Sequence, residues 1–203
     1  MRRSELVRAL ARIPSPARPR ADLEQVVTPP ERAADLLEAA IADGGLDGRS
    51  VVDLGSGTGR LAIGAALLGA RPVVGAEADP DLVERARAAA EAAGVRVDFR
   101  ALDVGEFSGP ADVVVMNPPF GAQRRGADRP FWDAAFATAR DRIFAFSLSE
   151  SRTFIARRAV ARSAHVVATR PVPWELPRTF AHHSQRRVAL SVDLWDIHCG
   201  PPP

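Results

Sequence analysis

The sequence lacks the patterns that disulfides, metal sites and membrane segments require. Its 203 residues include one cysteine, Cys199, so no disulfide can form within the chain. No uncharged apolar run is long enough to span a bilayer, and the first twenty residues are charged and interrupted by proline, unlike a secretory signal. No cysteine and histidine spacing typical of a metal site is present. We therefore expect a cytoplasmic protein without a metal, stabilised by its apolar core.

Lysine is absent, and all 27 basic residues are arginines with an uneven distribution. Residues 1–20 contain six arginines and one acidic residue, residues 21–119 contain eight and seventeen, and residues 120–190 contain thirteen and five. Two basic segments therefore flank an acidic one. This pattern predicts an anion-binding face, for which nucleic acid is the obvious partner. A solvated surface with a compositional bias toward arginine is the alternative.

The length and the alternation of apolar segments favour a single α/β domain. We expect a basic arm or linker over residues 1–20 that begins with a short helix, a domain over residues 21–198 and a tail over residues 199–203. Such alternation predicts a parallel sheet covered by helices on both faces, with the carboxyl ends of the strands along one ligand-binding edge. The strands are predicted at residues 51–54, 72–77, 95–99, 111–116, 143–148, 165–169 and 187–196, with a proline-rich loop before the last.

A glycine-rich turn, Gly55-Ser56-Gly57-Thr58-Gly59, follows Asp53 at the end of the first predicted strand. Glycines permit a tight turn and let a ligand lie against bare backbone, but the spacing differs from the dinucleotide-binding fingerprint. Glu77 ends the second strand, where a carboxylate can accept ribose hydroxyls, and Asp103 with Val104 follows the third, where they can bind an adenine ring. Either acid could instead cap a helix. Together these residues resemble the S-adenosylmethionine site of class I methyltransferases.

The fourth predicted strand leads into Asn117, Pro118, Pro119 and Phe120, the candidate catalytic loop. Two consecutive prolines stiffen the loop and lack N–H donors, so carbonyl oxygens can face a substrate. The Asn117 side-chain oxygen and the Pro118 carbonyl can accept the two N–H groups of an aromatic amine, which frees its lone pair for attack, while Phe120 can stack on the base. The motif indicates methylation of an amine or amide and leaves adenine, guanine and the glutamine amide open. A proline turn with a packed phenylalanine is the structural alternative.

The whole chain resembles the methyltransferase-like family that modifies one adenine of small-subunit ribosomal RNA in eukaryotes and archaea. The Glu-Gln-Tyr-x-Thr element of that family, which lies over the cofactor, is matched by Gln25 and Thr28, with Val26 in place of the tyrosine. Near the C-terminus the family has an aromatic residue, a histidine and several basic residues. The corresponding residues here are His182, His183, Arg186 and Arg187, with Ser184 and Gln185 interrupting the basic run.

The resemblance implies a class I methyltransferase fold, with a sheet of seven mostly parallel strands and an antiparallel last strand. It also implies methyl transfer from S-adenosylmethionine to adenine N6 in RNA. Eukaryotic and some archaeal members bind a small zinc-binding activator protein along an exposed strand edge, so such a partner is an expectation here. The implied cofactor contacts are Gln25, Thr28, Asp53, Gly55, Ser56, Gly57, Thr58, Gly59, Glu77, Asp103, Val104 and Asn117.

RNA contacts are expected beside the catalytic loop and near the C-terminus. Arg124 and Arg125 follow the loop, where they can bind phosphates next to the target base or else form a solvated turn. The other candidates for RNA contacts are His182, His183, Arg186 and Arg187.

Two other functions compete with RNA methylation. A protein glutamine methyltransferase would use the same catalytic loop, but the twenty residues before the Gln25 element leave no room for the N-terminal substrate domain usual in such enzymes. A non-catalytic RNA-binding or ribosome-assembly module could retain the fold. Against it stand the intact residues Asp53, Glu77, Asp103 and Asn117.

Overall fold

In the residues that the computed structural model describes, 1–16, 27–42, 44–121, 124–175 and 189–200, seven strands form one sheet and six α-helices pack on it. The strands are β1 (Val51–Leu54), β2 (Val73–Glu77), β3 (Asp98–Ala101), β4 (Ala111–Met116), β5 (Ala139–Leu148), β6 (Ala164–Glu175) and β7 (Ala189–Cys199). The helices are α1 (Arg3–Ala11), α2 (Pro30–Ala42), α3 (Arg60–Leu67), α4 (Pro80–Ala92), α5 (Arg129–Thr138) and α6 (Arg152–Ala161). Two short 3-10 helices follow β3 and β5, at Val104–Glu106 and Ser149–Ser151.

The strand order is β3-β2-β1-β4-β5-β7-β6. Strands β1 to β5 are mutually parallel, and β7 runs antiparallel to both β5 and β6. The prediction of a mostly parallel seven-stranded sheet with an antiparallel last strand is therefore confirmed. Strands β1 to β3 follow one another toward one edge of the sheet, whereas β4 and β5 lie on the other side of β1. Such a reversal of strand order opens a crevice at the carboxyl ends of β1 and β4.

Helices cover both faces of the sheet, which explains why β1 and β4 are apolar on both sides. Val51, Val113 and Val115 point to the face covered by α1, α2, α3 and α4. Their neighbours Leu54 and Val114 point to the other face, where α5 and α6 contribute Trp132 and Ile155 among others. A strand buried on two faces gains nothing from polar alternation, so continuous apolar runs specify these central strands.

The sixth strand is longer than predicted. It was expected to end at residue 169 because a proline-rich segment follows, yet it continues to residue 175. Since β6 is an edge strand that pairs only with β7, Pro171 and Pro173 can join it without breaking a ladder on a second side. The third strand also differs, since it begins at Asp98 instead of residue 95, and in it only Phe99 is buried.

The first helix packs into the domain, whereas the sequence pattern suggested an arm over residues 1–20. Leu6, Leu10 and Ile13 are each at most 4% exposed and belong to the core shared with α2 and α3. Arg3, which belongs to the first of the two basic segments, forms ion pairs with Asp35 and Glu38 of α2. Apolar residues at helical spacing therefore prevail over the basic composition of this segment.

Two absences hold for the part of the chain that the structure describes. None of its helices combines the length and the apolar character that crossing a membrane requires. No group of three or more histidine, cysteine, aspartate or glutamate side chains lies close enough to hold a metal ion. Cys199 has a free thiol at the end of β7, and burial raises the pKa of that thiol to about 11, so it is protonated at neutral pH.

Candidate active site

A cavity of about 280 Å³ opens at the carboxyl ends of β1, β2 and β4. Its position is the crevice expected where the strand order reverses. Most of the residues selected from the sequence lie around it. Those that line the cavity are Thr28, Asp53, Gly55, Ser56, Gly57, Thr58, Glu77, Asp103, Val104, Asn117, Pro119 and Arg124.

The glycine-rich turn forms the floor of the cavity because its backbone adopts conformations that other residues avoid. Gly55 has φ +73° and Gly57 has φ +55°. A Cβ atom on Gly55 would lie 2.7 Å from Phe131 Cε1, so α5 packs its first turn directly against the bare backbone. A Cβ atom on Gly57 would meet no protein atom within 4 Å. The backbone at Gly57 therefore faces open space in the cavity, where a ligand can approach it closely.

Asp53 links the end of β1 to the start of α3. Its side chain is 1% exposed, and its Oδ2 atom accepts a hydrogen bond from the Ala62 N–H at 3.0 Å. The Oδ1 atom is buried and has no partner among the described residues. Burial raises the pKa of Asp53 to about 7, with a smaller contribution from the neighbouring Glu77 carboxylate. The side chain thus supports the loop with one oxygen and offers the other to the cavity.

Glu77 fixes the shape of the glycine-rich turn from the neighbouring strand. Its Oε2 atom accepts from the Gly57 N–H at 2.9 Å, and its Oε1 atom accepts from the Asp79 N–H at 3.0 Å. Burial raises the pKa of Glu77, and these two hydrogen bonds oppose that rise. Each carboxylate oxygen retains a second lone pair, so Glu77 can hold the turn and still accept hydroxyl groups of a ligand.

Asp103 caps a short helix and also lies at the cavity, while its predicted contact with an adenine ring stays a prediction. It caps the 3-10 helix at Val104–Glu106, since its Oδ1 atom accepts from the Gly105 N–H at 2.8 Å. It also lines the cavity, together with Val104 and Leu102. The cap fixes the direction of the carboxylate and leaves its second oxygen for a ligand, so the two readings are compatible.

Asn117 follows β4 and is held by a residue from a distant part of the chain. Its Nδ2 atom donates to Thr28 Oγ1 at 2.9 Å. Its Oδ1 atom is buried and has no hydrogen-bond partner among the described residues. Buried acceptors are nearly always satisfied in folded proteins, so this oxygen beside the cavity is available to a donor from a ligand or from water.

Two members of the predicted catalytic loop do not line the cavity. Pro118 is buried, and Phe120 packs edge-on against Trp174 of β6, with 5.4 Å between ring centroids and 71° between ring planes. Trp174 makes a second edge contact with Phe146 of β5. In the structure this ring has a packing partner within the protein. The expected stacking of Phe120 on a base stays a prediction.

The residues predicted to contact RNA are only partly described. Arg124 lines the cavity and is exposed, and Arg125 beside it is exposed as well. The remaining selected residues lie outside the described part of the chain: the predicted cofactor residue Gln25 and the predicted RNA contacts His182, His183, Arg186 and Arg187. Their roles stay predictions.

Phe131 and Arg60 are among the residues of the site that the sequence did not indicate. Phe131 lies over Gly55 and lines the cavity, but nothing in the sequence links it to a turn 76 positions earlier. Arg60 directly follows the glycine-rich turn and is 7% exposed. Its guanidinium donates to the carbonyl oxygens of Leu10, Ile13 and Thr28. A charged residue within the otherwise apolar helix α3 was the available signal, and burial lowers the pKa of this arginine.

Comparisons with known proteins agree with this geometry. Residues 31–144 match the model of the methyltransferase small domain family. The chain is 32% identical to an uncharacterized protein of Methanocaldococcus jannaschii over 88% of this chain and 86% of that protein. It is 31% identical to the rRNA N(6)-adenosine-methyltransferase Mettl5 of Drosophila melanogaster, over 90% and 89% of the two chains. The crystal structure of a proposed RNA methyltransferase, PH1948 of Pyrococcus horikoshii, is 34% identical with a TM-score of 0.90, covering 98% of both chains.

Proposed function

Because this chain belongs to the methyltransferase small domain family and shares a family with the fly enzyme Mettl5, we propose that it methylates the exocyclic N6 of an adenine in RNA, with small-subunit ribosomal RNA as the target. The names of its fly, zebrafish and nematode relatives describe rRNA N(6)-adenosine methyltransferases, which supports this choice of substrate. The proposal concerns the base, the atom and the class of RNA.

The cofactor is S-adenosylmethionine, which supplies an electrophilic methyl group on a sulfonium. The cavity residues fit it. Asp53 Oδ1 and Ser56 Oγ are buried polar atoms without partners among the described residues, and the Gly57 backbone is bare toward open space. Glu77 offers acceptors suited to ribose hydroxyls, and Asp103 with Val104 offers an acceptor and an apolar wall suited to adenine. Carboxylates also suit the positive charges of this cofactor.

The observation that carries the proposal is the Asn117 side chain, with its amide nitrogen bound to Thr28 and its oxygen buried and unsatisfied. An exocyclic amine is a poor nucleophile because its lone pair is delocalised into the ring. Acceptance of its N–H by Asn117 Oδ1 favours a pyramidal nitrogen with an available lone pair. Held by the cavity residues, S-adenosylmethionine would supply the methyl group and keep the bonding electron pair on its sulfur. Asn117 Oδ1 would hold the amine, whose nitrogen takes up the methyl group and releases one proton to solvent. Asn117 acts by positioning and polarisation, since an amide is no base.

RNA as the carrier of the amine is supported by the charge around the cavity mouth. Arg124 is exposed and lines the cavity, and Arg125 is exposed next to it, where each can bind a phosphate flanking an extruded base. A small zinc-binding activator, pairing along a strand edge, and a cytoplasmic location belong to the proposal as predictions from the family resemblance and from the sequence composition.

The proposal is tested by tritium transfer from labelled S-adenosylmethionine to small-subunit ribosomal RNA, with large-subunit RNA and a peptide-release factor as parallel acceptors. We expect label in small-subunit RNA that co-migrates with N6-methyladenosine after nuclease digestion, and no label after Asn117→Ala. Label on the release factor would instead identify a glutamine methyltransferase. Cofactor binding without transfer to any acceptor, with and without an activator, would refute the proposed function.

A further inference from the structure

The amide of Asn117 is held by a residue that lies 89 positions away in the sequence. Thr28 precedes Pro29 and Pro30, the second of which begins α2, and its Oγ1 atom accepts the hydrogen bond from Asn117 Nδ2 at 2.9 Å. Thr28 is 9% exposed, and this is the only hydrogen bond of the Asn117 side chain among the described residues. The orientation of the candidate acceptor oxygen therefore depends on a single contact.

Thr28 is itself fixed in place by Arg60. The guanidinium of Arg60 donates to the Thr28 carbonyl, to the Leu10 carbonyl at 3.1 Å and to the Ile13 carbonyl at 2.7 Å. Arg60 begins α3 directly after the glycine-rich turn. The Thr28 backbone is thus bound to the start of α3, directly after the glycine-rich turn. The Thr28 hydroxyl contacts Asn117, which follows β4 and begins the candidate catalytic loop.

The physical effect of this contact is to fix the plane of the Asn117 amide. A hydroxyl can also donate, so Thr28 alone would permit the amide turned by 180°. In that orientation the amide NH2 would occupy the position of Oδ1, which is buried without an acceptor among the described residues, and two donors would be left unsatisfied. An incoming amine offers N–H donors and matches only the orientation in the structure. Thr28 and the substrate together therefore select the productive acceptor.

We propose that Thr28 is a positioning residue that aims Asn117 Oδ1 at the substrate amine, an inference that rests on the proposed function. This role differs from a cofactor contact, the role implied for Thr28 by the family resemblance. A cofactor contact predicts weaker binding of S-adenosylmethionine after substitution. A positioning role predicts slower methyl transfer with the cofactor fully bound.

The first experiment compares Thr28→Val, which keeps the shape and removes the acceptor, with Thr28→Ser, which keeps the hydroxyl. Thr153→Val, at an exposed threonine of α6, is the matched control. Small losses of alignment cost about 10- to 100-fold in rate, so we expect that reduction in kcat for Thr28→Val, with the cofactor Kd and the RNA KM close to wild type. Thr28→Ser and the control should retain activity. A loss of cofactor affinity with unchanged kcat, or equal losses in Thr28→Val and Thr28→Ser, would overturn the inference.

The second experiment needs no substrate, because Asn117 is the only asparagine in the chain. Protein labelled with ¹⁵N at the asparagine side chain gives a single pair of amide signals. We expect one of the two hydrogens to exchange slowly in wild type and in Thr28→Ser, and both to exchange fast in Thr28→Val. Fast exchange of both hydrogens in the wild type overturns the inference even if a variant fails to fold. If the wild type binds cofactor but methylates no RNA, the proposed function fails, while these signals still decide the inference.

Discussion

The two ends of the cavity differ in whether their polar side chains bind backbone groups or another side chain. At the end that we propose binds the cofactor, called the cofactor end and formed by residues 53–59 and Glu77, both Glu77 oxygens and one Asp53 oxygen accept backbone N–H groups. At the acceptor end, formed by Thr28, Asn117 and Pro119, the hydrogen bond runs between two side chains. Each end also keeps buried oxygens without a partner among the described residues, Asp53 Oδ1 and Ser56 Oγ at the first and Asn117 Oδ1 at the second. The cofactor end is therefore built into the main chain, and the acceptor end depends on a pair of side chains.

This difference separates what binding and chemistry each require. The same cofactor binds in every reaction cycle, so a rigid turn whose shape is set by glycines and buried carboxylates can bind it. An acceptor oxygen must gain its hydrogen bond as the reaction proceeds, and a site that stabilises the transition state keeps such a group ready and unpaired. Substitutions at the two ends should consequently affect different measured quantities.

The largest effect is expected from Asn117→Ala, which removes the acceptor oxygen at the reacting amine. Loss of one such polar group typically costs about 100- to 1,000-fold in kcat, and we expect that reduction in single-turnover methyl transfer. Cofactor affinity measured by calorimetry should stay close to wild type, because the cofactor end is untouched. Comparable losses in both quantities would show that the two ends are not separate.

Glu77→Ala should have the opposite profile. It leaves the N–H groups of Gly57 and Asp79 without acceptors, and each unsatisfied buried donor costs about 1–3 kcal/mol. The substitution also removes the acceptors proposed for the ribose hydroxyls, and a hydrogen bond to a charged group contributes about 1.5–3 kcal/mol. Since 1.4 kcal/mol corresponds to tenfold in affinity, we expect the cofactor Kd to rise about 10-fold or more. Glu84→Ala removes an exposed carboxylate of α4 and serves as the control. Unchanged affinity in Glu77→Ala would remove this residue from the cofactor site.

Asp53→Asn tests the buried carboxylate through the pH dependence of stability. The pKa of Asp53 is about 7 in the folded protein against an ordinary value of 3.8, so between these values the folded state retains a proton that the unfolded chain has released. Stability of the wild type should therefore fall as pH rises through this window, and Asp53→Asn should be spared that loss. We expect the Tm of the variant to gain on the wild type by a few degrees between about pH 4 and pH 7, at about 2–4 °C per kcal/mol. A constant difference in Tm would contradict the raised pKa.

The smallest effect is expected from the double substitution of Arg124 and Arg125 by alanine. Each phosphate contact contributes about 0.7–0.9 to the slope of log K against log salt, so the slope should decrease by about 1.5, with RNA affinity reduced several-fold at moderate salt. Replacing Arg85 and Arg96, two exposed arginines near α4, changes the net charge equally and is the control. Equal effects of the two pairs would indicate an unspecific charge effect.

Local patterns in the sequence were sufficient to predict most of the fold. The apolar residues of β1 and β4 indicate central strands, and the glycine-rich turn between β1 and α3 indicates a turn at the carboxyl edge of the sheet. The predictions differed from the structure where a segment depends on the elements packed beside it. The extension of β6 through Pro171 and Pro173 depends on its position at the sheet edge, and the packing of α1 depends on the apolar groove that α2 and α3 provide. Neither neighbour can be identified from local spacing.

For the site, the sequence by itself determined which chemical groups are present: a glycine-rich turn, acidic residues at strand ends and an amide before two prolines. Parallel strands bring their carboxyl ends to one edge of the sheet. The order of elements in the sequence therefore also predicts that these groups lie close together. Only the tertiary structure decided which of these polar atoms have a hydrogen-bond partner within the protein and which side chains pack together. That Thr28 binds the Asn117 nitrogen, that Arg60 holds Thr28, and that Phe120 packs on Trp174 are contacts across long sequence separations. Such contacts depend on distances and angles between elements, which residue types alone do not encode.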